Sequence, residues 1–131
     1  MLKVLIADDH AIVRKGLRDI LREASETATV GEASNGQEAL DKARNEVWDV
    51  VVLDITMPGL NGLTLLKTLK REQPALPVLM LSMHSGEQYV MGSLKAGASG
   101  YLSKESAPEE LLLAIRALLA GATSAARSPS L

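Results

Sequence analysis

The sequence predicts an α/β fold: one parallel sheet of five strands, with helices packed on both faces. Three observations carry this expectation. Five short apolar runs alternate with five segments of helical periodicity, and such alternation builds a sheet whose crossovers are helices. One run, Val50-Val51-Val52-Leu53, is β-branched and has no polar alternation, so it reads as a central strand buried on both faces. The length of 131 residues suits a single domain large enough to bury a core. With right-handed crossovers, the order expected is the flavodoxin-like 2-1-3-4-5.

The elements follow in sequence. Leu2 to Ala7 is a short apolar strand that stops at Asp8-Asp9. His10 to Ala24 has helical spacing, with Ile12, Val13, Leu17, Ile20 and Leu21 facing inward. Arg14, Lys15, Arg18, Asp19, Arg22 and Glu23 form its wet face. Thr27 to Ala33 is a weaker strand near an edge. Ser34 with Gln37, or Asn35 with Glu38, has the spacing of a capping box, opening a helix that buries Ala39, Leu40 and Ala43. The central strand ends on Asp54 and breaks into Met57-Pro58-Gly59, a turn signal. Asn61 is placed to cap a helix through Leu63, Leu65, Leu66 and Leu69, which Pro74 and Pro77 end. Val78 to Ser82 is the fourth strand, Glu87 to Ala96 a mixed helix stopped by Gly97, and Ala98 to Ser103 the fifth strand, followed by Lys104. Ser106 and Glu109 have capping-box spacing with Pro108 in the first turn, opening an amphipathic helix over Leu111, Leu112, Ile115, Leu118 and Leu119. The structured domain is expected over residues 1–121. Residues 122–131 are small, polar and patternless, a tail or the start of a linker.

Composition narrows the function classes. The only aromatics are Trp48, Tyr89 and Tyr101, too few for a base-stacking surface, so the core must be aliphatic. A net charge of -2 is no basic footprint for nucleic acid. Without cysteine there is no disulfide, thiolate nucleophile or Cys-ligated metal. The first apolar run is too short for a signal peptide, and no stretch approaches a membrane span, which leads to a cytoplasmic expectation.

The strand ends share a chemistry. The first ends at Asp8-Asp9, the third at Asp54, the fourth at Ser82, and Lys104 follows the fifth. In a parallel sheet these ends share one rim, where ligands bind in open α/β sheets. Three carboxylates crowded there repel; two unit charges about 4 Å apart do so by roughly 4 kcal/mol at an effective dielectric near 20. A divalent cation relieves that, and oxygen donors without a His/Cys set point to Mg²⁺. A carboxylate can attack phosphorus, and the transferred group then needs its oxygens neutralised by the cation, Lys104 and the Ser82 hydroxyl. The plain alternative is that Asp8 and Asp9 cap the helix after them and Lys104 is a solvated lysine. His10 and His84 lie near the rim and read as flanking residues, not as acid, base or ligand. Met57, Met80, Met83 and Met91 read as core or loop filling.

Asp8-Asp9, Asp54, Met57-Pro58-Gly59, Ser82, Tyr101 and Lys104, in that order at strand ends, resemble the receiver domain of two-component response regulators. The wording of Leu5 to His10, Leu81 to His84 and Ala96 to Leu102 is similar to the NarL/FixJ (LuxR-type) subclass. The resemblance implies the CheY-like (βα)5 version of the flavodoxin-like fold. It implies that Asp54 accepts a phosphoryl group from a sensor histidine kinase. Asp9 would bind Mg²⁺ directly, Asp8 would support the ion, and the Thr56 backbone carbonyl would be a further ligand, with Mn²⁺ able to substitute. Lys104 and Ser82 would contact the phosphoryl group, with Tyr101 as the aromatic switch. The output would be altered dimerisation, or release of a C-terminal helix-turn-helix DNA-binding domain that this chain does not contain. Glu105 stands where many receivers have proline after the lysine.

Two other readings compete. A haloacid-dehalogenase-type aspartyl-phosphate hydrolase needs a second acid two residues after its nucleophile, and that place holds Thr56. A phosphorylation-independent binding module on the same fold would not need the complete residue set. The reading adopted is a switch that modifies itself, not a turnover enzyme.

Overall fold

The computed structural model describes residues 2–25, 27–55, 57, 62–82 and 87–120. The elements alternate as β1 (Leu2–Ala7), α1 (Ala11–Glu23), β2 (Thr27–Ala33), α2 (Gly36–Asn45), β3 (Val50–Asp54), α3 (Gly62–Glu72), β4 (Val78–Ser82), α4 (Glu87–Lys95), β5 (Gly100–Ser103) and α5 (Ala107–Leu119). The sheet order is β2-β1-β3-β4-β5, and every pairing is parallel. This is the expected α/β, flavodoxin-like arrangement. β2 sits at an edge, as its weaker pattern implied, and all five residues of β3 are buried.

Side-chain alternation divides the core into two layers. Leu5, Val51, Leu53, Val78 and Met80 point to the face covered by Ala39, Leu40 and Ala43 of α2 and Leu65, Leu66 and Leu69 of α3. Val4, Ile6, Val50, Val52, Leu79 and Leu81 point to the face covered by Leu17 and Leu21 of α1 and Leu111 and Ile115 of α5. Each central strand thus meets apolar side chains on both sides, which explains why its sequence shows no polar alternation. Met57 and Met80 are buried filling, as read, whereas Met91 is exposed.

The helix starts differ in how well spacing foretold them. Asn35 caps α2: its Oδ1 accepts from the Glu38 N–H at 2.8 Å, and the Glu38 carboxylate accepts the Ser34 N–H at 2.7 Å. For α5 the expected box does not form. Ser106 has φ -93° and ψ -13°, near-helical angles rather than the extended ones a box needs, and its side chain makes no capping bond. Its hydroxyl lies 2.9 Å from that of Ser103 instead. The expected Asn61 cap falls outside the described residues. At the end of α4, Gly97 adopts φ 104°, a conformation an L side chain rarely takes, and stops the helix where expected.

In α1 the inward stripe is Leu17 and Leu21, with Val13 packed beside them. Ile12, expected inward, is 88% exposed, because its position one residue before Val13 turns it off that stripe. Two residues assigned to the wet face do not stay in water. Arg14 Nε donates to Glu32 Oε1 at 3.0 Å, and Arg18 Nη1 donates to Glu32 Oε2 at 2.9 Å, tying α1 to β2.

Candidate functional site

The sheet order reverses between β1 and β3, and the carboxyl ends of those strands open a crevice there. Backbone bonds carry the ladder one residue past three strand ends. Asp8 N–H donates to Ala33 O at 3.0 Å, Ile55 N–H to Leu81 O at 2.9 Å, and Lys104 N–H to Ser82 O at 2.8 Å. The functional side chains are therefore held by the sheet itself, not by free loops.

Asp8 and Asp54 are fully buried, Lys104 is almost so, and Asp9 is exposed at the mouth. The Lys104 ammonium donates to Asp54 Oδ2 at 2.9 Å and to Asp8 Oδ1 at 3.1 Å. One cation thus bridges two buried carboxylates that lie 46 residues apart in sequence, and the bridge spans β1, β3 and the end of β5. Burial pushes the Asp8 carboxyl above its ordinary range, and the neighbouring Asp54 charge adds to that. The His10 N–H, donating to Asp8 Oδ1 at 2.8 Å, and the Lys104 ammonium pull the other way without prevailing. Arg14 reaches the same loop from α1, donating from Nη1 to the Asp8 carbonyl.

The capping alternative for the acid pair is not what the fold uses. The N-cap of α1 is His10, with no side-chain capping bond, while Asp8 and Asp9 turn toward the crevice. Ser82 ends β4 fully buried, in register with Ser103 and one backbone bond from Lys104. Tyr101 lies opposite Met80 on β5, half-buried against the α2/α3 layer. Thr56, Pro58, Gly59, Met83 and His84 lie outside the described residues, so the Thr56 carbonyl stays an expectation.

The sequence places His10 near the rim as a flanking residue, and the structure brings its ring into contact with the site. Its Nδ1 lies 2.7 Å from Lys104 Nζ, 3.2 Å from Asp8 Oδ1 and 3.3 Å from Asp9 Oδ1. The signal was its adjacency to the acid pair, since the residue after Asp8-Asp9 must start the helix that leaves the rim.

Ligand atoms of Asp8, Asp9, His10 and Asp54 lie within 4.8 Å of one another. Asp8 Oδ2 is buried with no hydrogen-bond partner. A buried carboxylate oxygen without a partner is costly unless a cation or water meets it. The residues present therefore fit a divalent ion, and the predominance of carboxylate oxygen suits a hard one.

Comparison with known proteins agrees with this geometry. Residues 4–116 match the family model described as the response regulator receiver domain. The chain is 40% identical over 121 residues to the response regulator UvrY of Escherichia coli (strain K12), covering 92% of this chain and 56% of that one. It is 37% identical over 118 residues to the nitrate/nitrite response regulator protein NarL of the same organism, covering 90% and 55%. The chain thus spans about half the length of the curated relatives it matches. The crystal structure of a LuxR-family two-component response regulator from Aurantimonas sp. SI85-9A1 superposes with a TM-score of 0.86 at 37% identity, covering 92% of this chain and 86% of that one. On matched family, sequence identity and fold together, this chain belongs to the response regulator receiver domains of two-component systems, in their NarL/FixJ (LuxR-type) branch.

Proposed function

We propose that residues 1–121 form a phosphorylation-controlled switch in which Asp54 accepts a phosphoryl group from a sensor histidine kinase. The observation that carries this reading is the buried Lys104 ammonium held between Asp54 and Asp8 at 2.9 and 3.1 Å. In the transfer, an Asp54 carboxylate oxygen forms a bond to phosphorus. The bond from phosphorus to the kinase's histidine nitrogen breaks, and that imidazole leaves with the electron pair. Asp8, Asp9, Asp54 and the Thr56 carbonyl would hold Mg²⁺, or Mn²⁺ in its place. The ion supplies neutralisation of the phosphoryl oxygens and alignment of the attacking carboxylate. Lys104 already faces Asp54 and need only follow the new negative charge, while Ser82 contributes a hydroxyl at the same rim.

Phosphorylation adds roughly -1.5 to -2 charges where two buried carboxylates share one ammonium. New bonds to Lys104 and Ser82 draw the strand ends inward, and Tyr101 on β5 transmits the change to the outer surface. The output is altered homodimerisation, and control of transcription through a DNA-binding domain reached by the segment after residue 121. The protein acts as a self-modifying switch in the cytoplasm rather than as a turnover enzyme. Among the described residues no helix is long and apolar enough to cross a membrane.

The test is incubation with a small phosphodonor and Mg²⁺, followed by intact mass. One added phosphoryl group, absent from Asp54→Asn and from samples in chelator, is the expected result. No mass change in the wild-type chain overturns the reading. Dimerisation that ignores beryllofluoride would turn it into a phosphorylation-independent binding module.

A further inference from the structure

We propose that His10 is a nitrogen ligand of the acidic cup and shifts its preference toward late first-row divalent ions, Co²⁺, Ni²⁺ and Zn²⁺, relative to Mg²⁺. The proposal rests on the cation-binding reading of Asp8, Asp9 and Asp54 given above, and it adds a donor of another class.

The geometry begins with the backbone. The His10 N–H donates to Asp8 Oδ1 at 2.8 Å, which anchors residue 10 over the cup before α1 begins. The ring then places Nδ1 3.2 Å from Asp8 Oδ1, 3.3 Å from Asp9 Oδ1 and 3.9 Å from Asp54 Oδ2. Nδ1 is also 2.7 Å from the Lys104 ammonium. An ammonium has three donors and no acceptor, so the 2.7 Å contact suits the tautomer with the ring proton on Nε2 and a lone pair on Nδ1. That tautomer is the one able to ligate through Nδ1.

Three acceptors from three segments, Asp54 Oδ2, Asp8 Oδ1 and His10 Nδ1, thus converge on one positive atom at 2.9, 3.1 and 2.7 Å. The ammonium stands where a cation is wanted. Asp8 Oδ2, buried and without a hydrogen-bond partner, is a further oxygen left for an ion. An all-oxygen set favours Mg²⁺. Replacing one oxygen or water by imidazole raises affinity for Co²⁺, Ni²⁺ and Zn²⁺ while adding little for Mg²⁺. His10 is half-exposed in its side chain, so the ring can follow an incoming ion as Lys104 yields its place.

The test uses the intact chain with each ion alone. Mg²⁺ and Ni²⁺ affinities are measured by calorimetry, and Co²⁺ binding by its visible d–d bands, for wild type, His10→Gln, His84→Gln and Asp54→Asn. The expected result is that the ratio of Ni²⁺ to Mg²⁺ affinity falls at least about tenfold in His10→Gln and stays unchanged in His84→Gln. Of the two histidine variants, only His10→Gln should change the intensity of the Co²⁺ bands. An unchanged ratio in His10→Gln, or a fall confined to His84→Gln, overturns the assignment while leaving the Mg²⁺ site standing. Ion affinities that ignore Asp54→Asn overturn the cation cup itself, and His10's role with it.

Discussion

Replacing Lys104 with methionine keeps the length of the side-chain stem and removes the charge that two buried carboxylates share. The ammonium lies 2.9 Å from Asp54 Oδ2 and 3.1 Å from Asp8 Oδ1. At an effective dielectric near 20, each attraction is about 5–6 kcal/mol before desolvation is counted. Desolvation takes back several kcal/mol per ion, so the pair contributes much less than that sum. Its removal is another matter, because two carboxylates are then left buried and facing each other. Breaking a buried ion pair in this way destabilises by about 3–5 kcal/mol. For a domain of 131 residues that corresponds to a fall in Tm on the order of 10–20 °C. The assay is urea unfolding in chelator at pH 8, followed by the fluorescence of Trp48, the only tryptophan and a buried one. Two conditions should restore part of the loss. Mg²⁺ held by the proposed cup would bind the folded state alone and stabilise it by mass action. Lowering the pH neutralises the Asp8 carboxyl, which burial already raises above its ordinary range. An unfolding midpoint equal to wild type in chelator, or a deficit untouched by both Mg²⁺ and acid, would refute the reasoning that this ammonium is the internal counter-ion of the cup.

Asp8→Asn should act in the opposite direction. Because burial, with Asp54, raises the folded pKa of Asp8, the folded state holds the proton more tightly than the unfolded chain does. Its carboxylate therefore works against folding as pH rises from the unfolded pKa, about 3.9, through the folded one. Asparagine should raise metal-free stability at pH 7 by about 0.5–2 kcal/mol while weakening Mg²⁺ binding, with the stability gain vanishing near pH 3. Chemical denaturation at the two pH values checks it. Glu32 shows the reverse sign: burial opposes its charge, but hydrogen bonds from Arg18 and then Arg14 outweigh burial and hold its carboxyl below the ordinary range. Its stabilisation is present above the unfolded pKa, about 4.3, and is lost as pH falls through the depressed folded value. Glu32→Gln should cost about 1–2 kcal/mol at pH 7, after allowance for partial exposure, with the gap to wild type closing below that value. Gly62→Ala should destabilise by about 1–3 kcal/mol and slow phosphorylation of Asp54. The added Cβ would lie 2.4 Å from Ile55 Cα and 2.6 Å from the Asp54 carbonyl oxygen, both backbone atoms that cannot step aside. Urea midpoints and phosphodonor rates measure the two effects.

What was legible in the sequence follows from periodicity and from the geometry of parallel sheets. Val50 to Leu53 reads as a two-sided strand because both neighbouring layers are apolar, and that demand leaves no polar alternate position. Asp8, Asp9, Asp54, Ser82 and Lys104 read as one rim because strands that run the same way end on the same side. Asn35-to-Glu38 capping is a local bond between residues three apart, so spacing alone exposes it. The same spacing at Ser106 and Glu109 failed, because a box also needs an extended backbone at its first residue and Ser106 is near-helical. Ile12 was misplaced by one step on the helical wheel, because adjacent apolar residues leave the phase of the buried stripe open until a neighbour fixes it.

The order of residues by itself determined the layers and the gathering of acids and an amine at one end, since these depend on pattern and chain direction, and it narrowed the strand order to a few choices. Tertiary packing alone decided the partners: that Lys104 sits between Asp54 and Asp8, that Arg14 and Arg18 leave water for Glu32, and that His10 turns its Nδ1 into the cup. Those are contacts of about 3 Å between groups as many as 96 residues apart. Hydrogen bonds fall away over an ångström or so, whereas a sequence pattern places a side chain only on a face or at an edge.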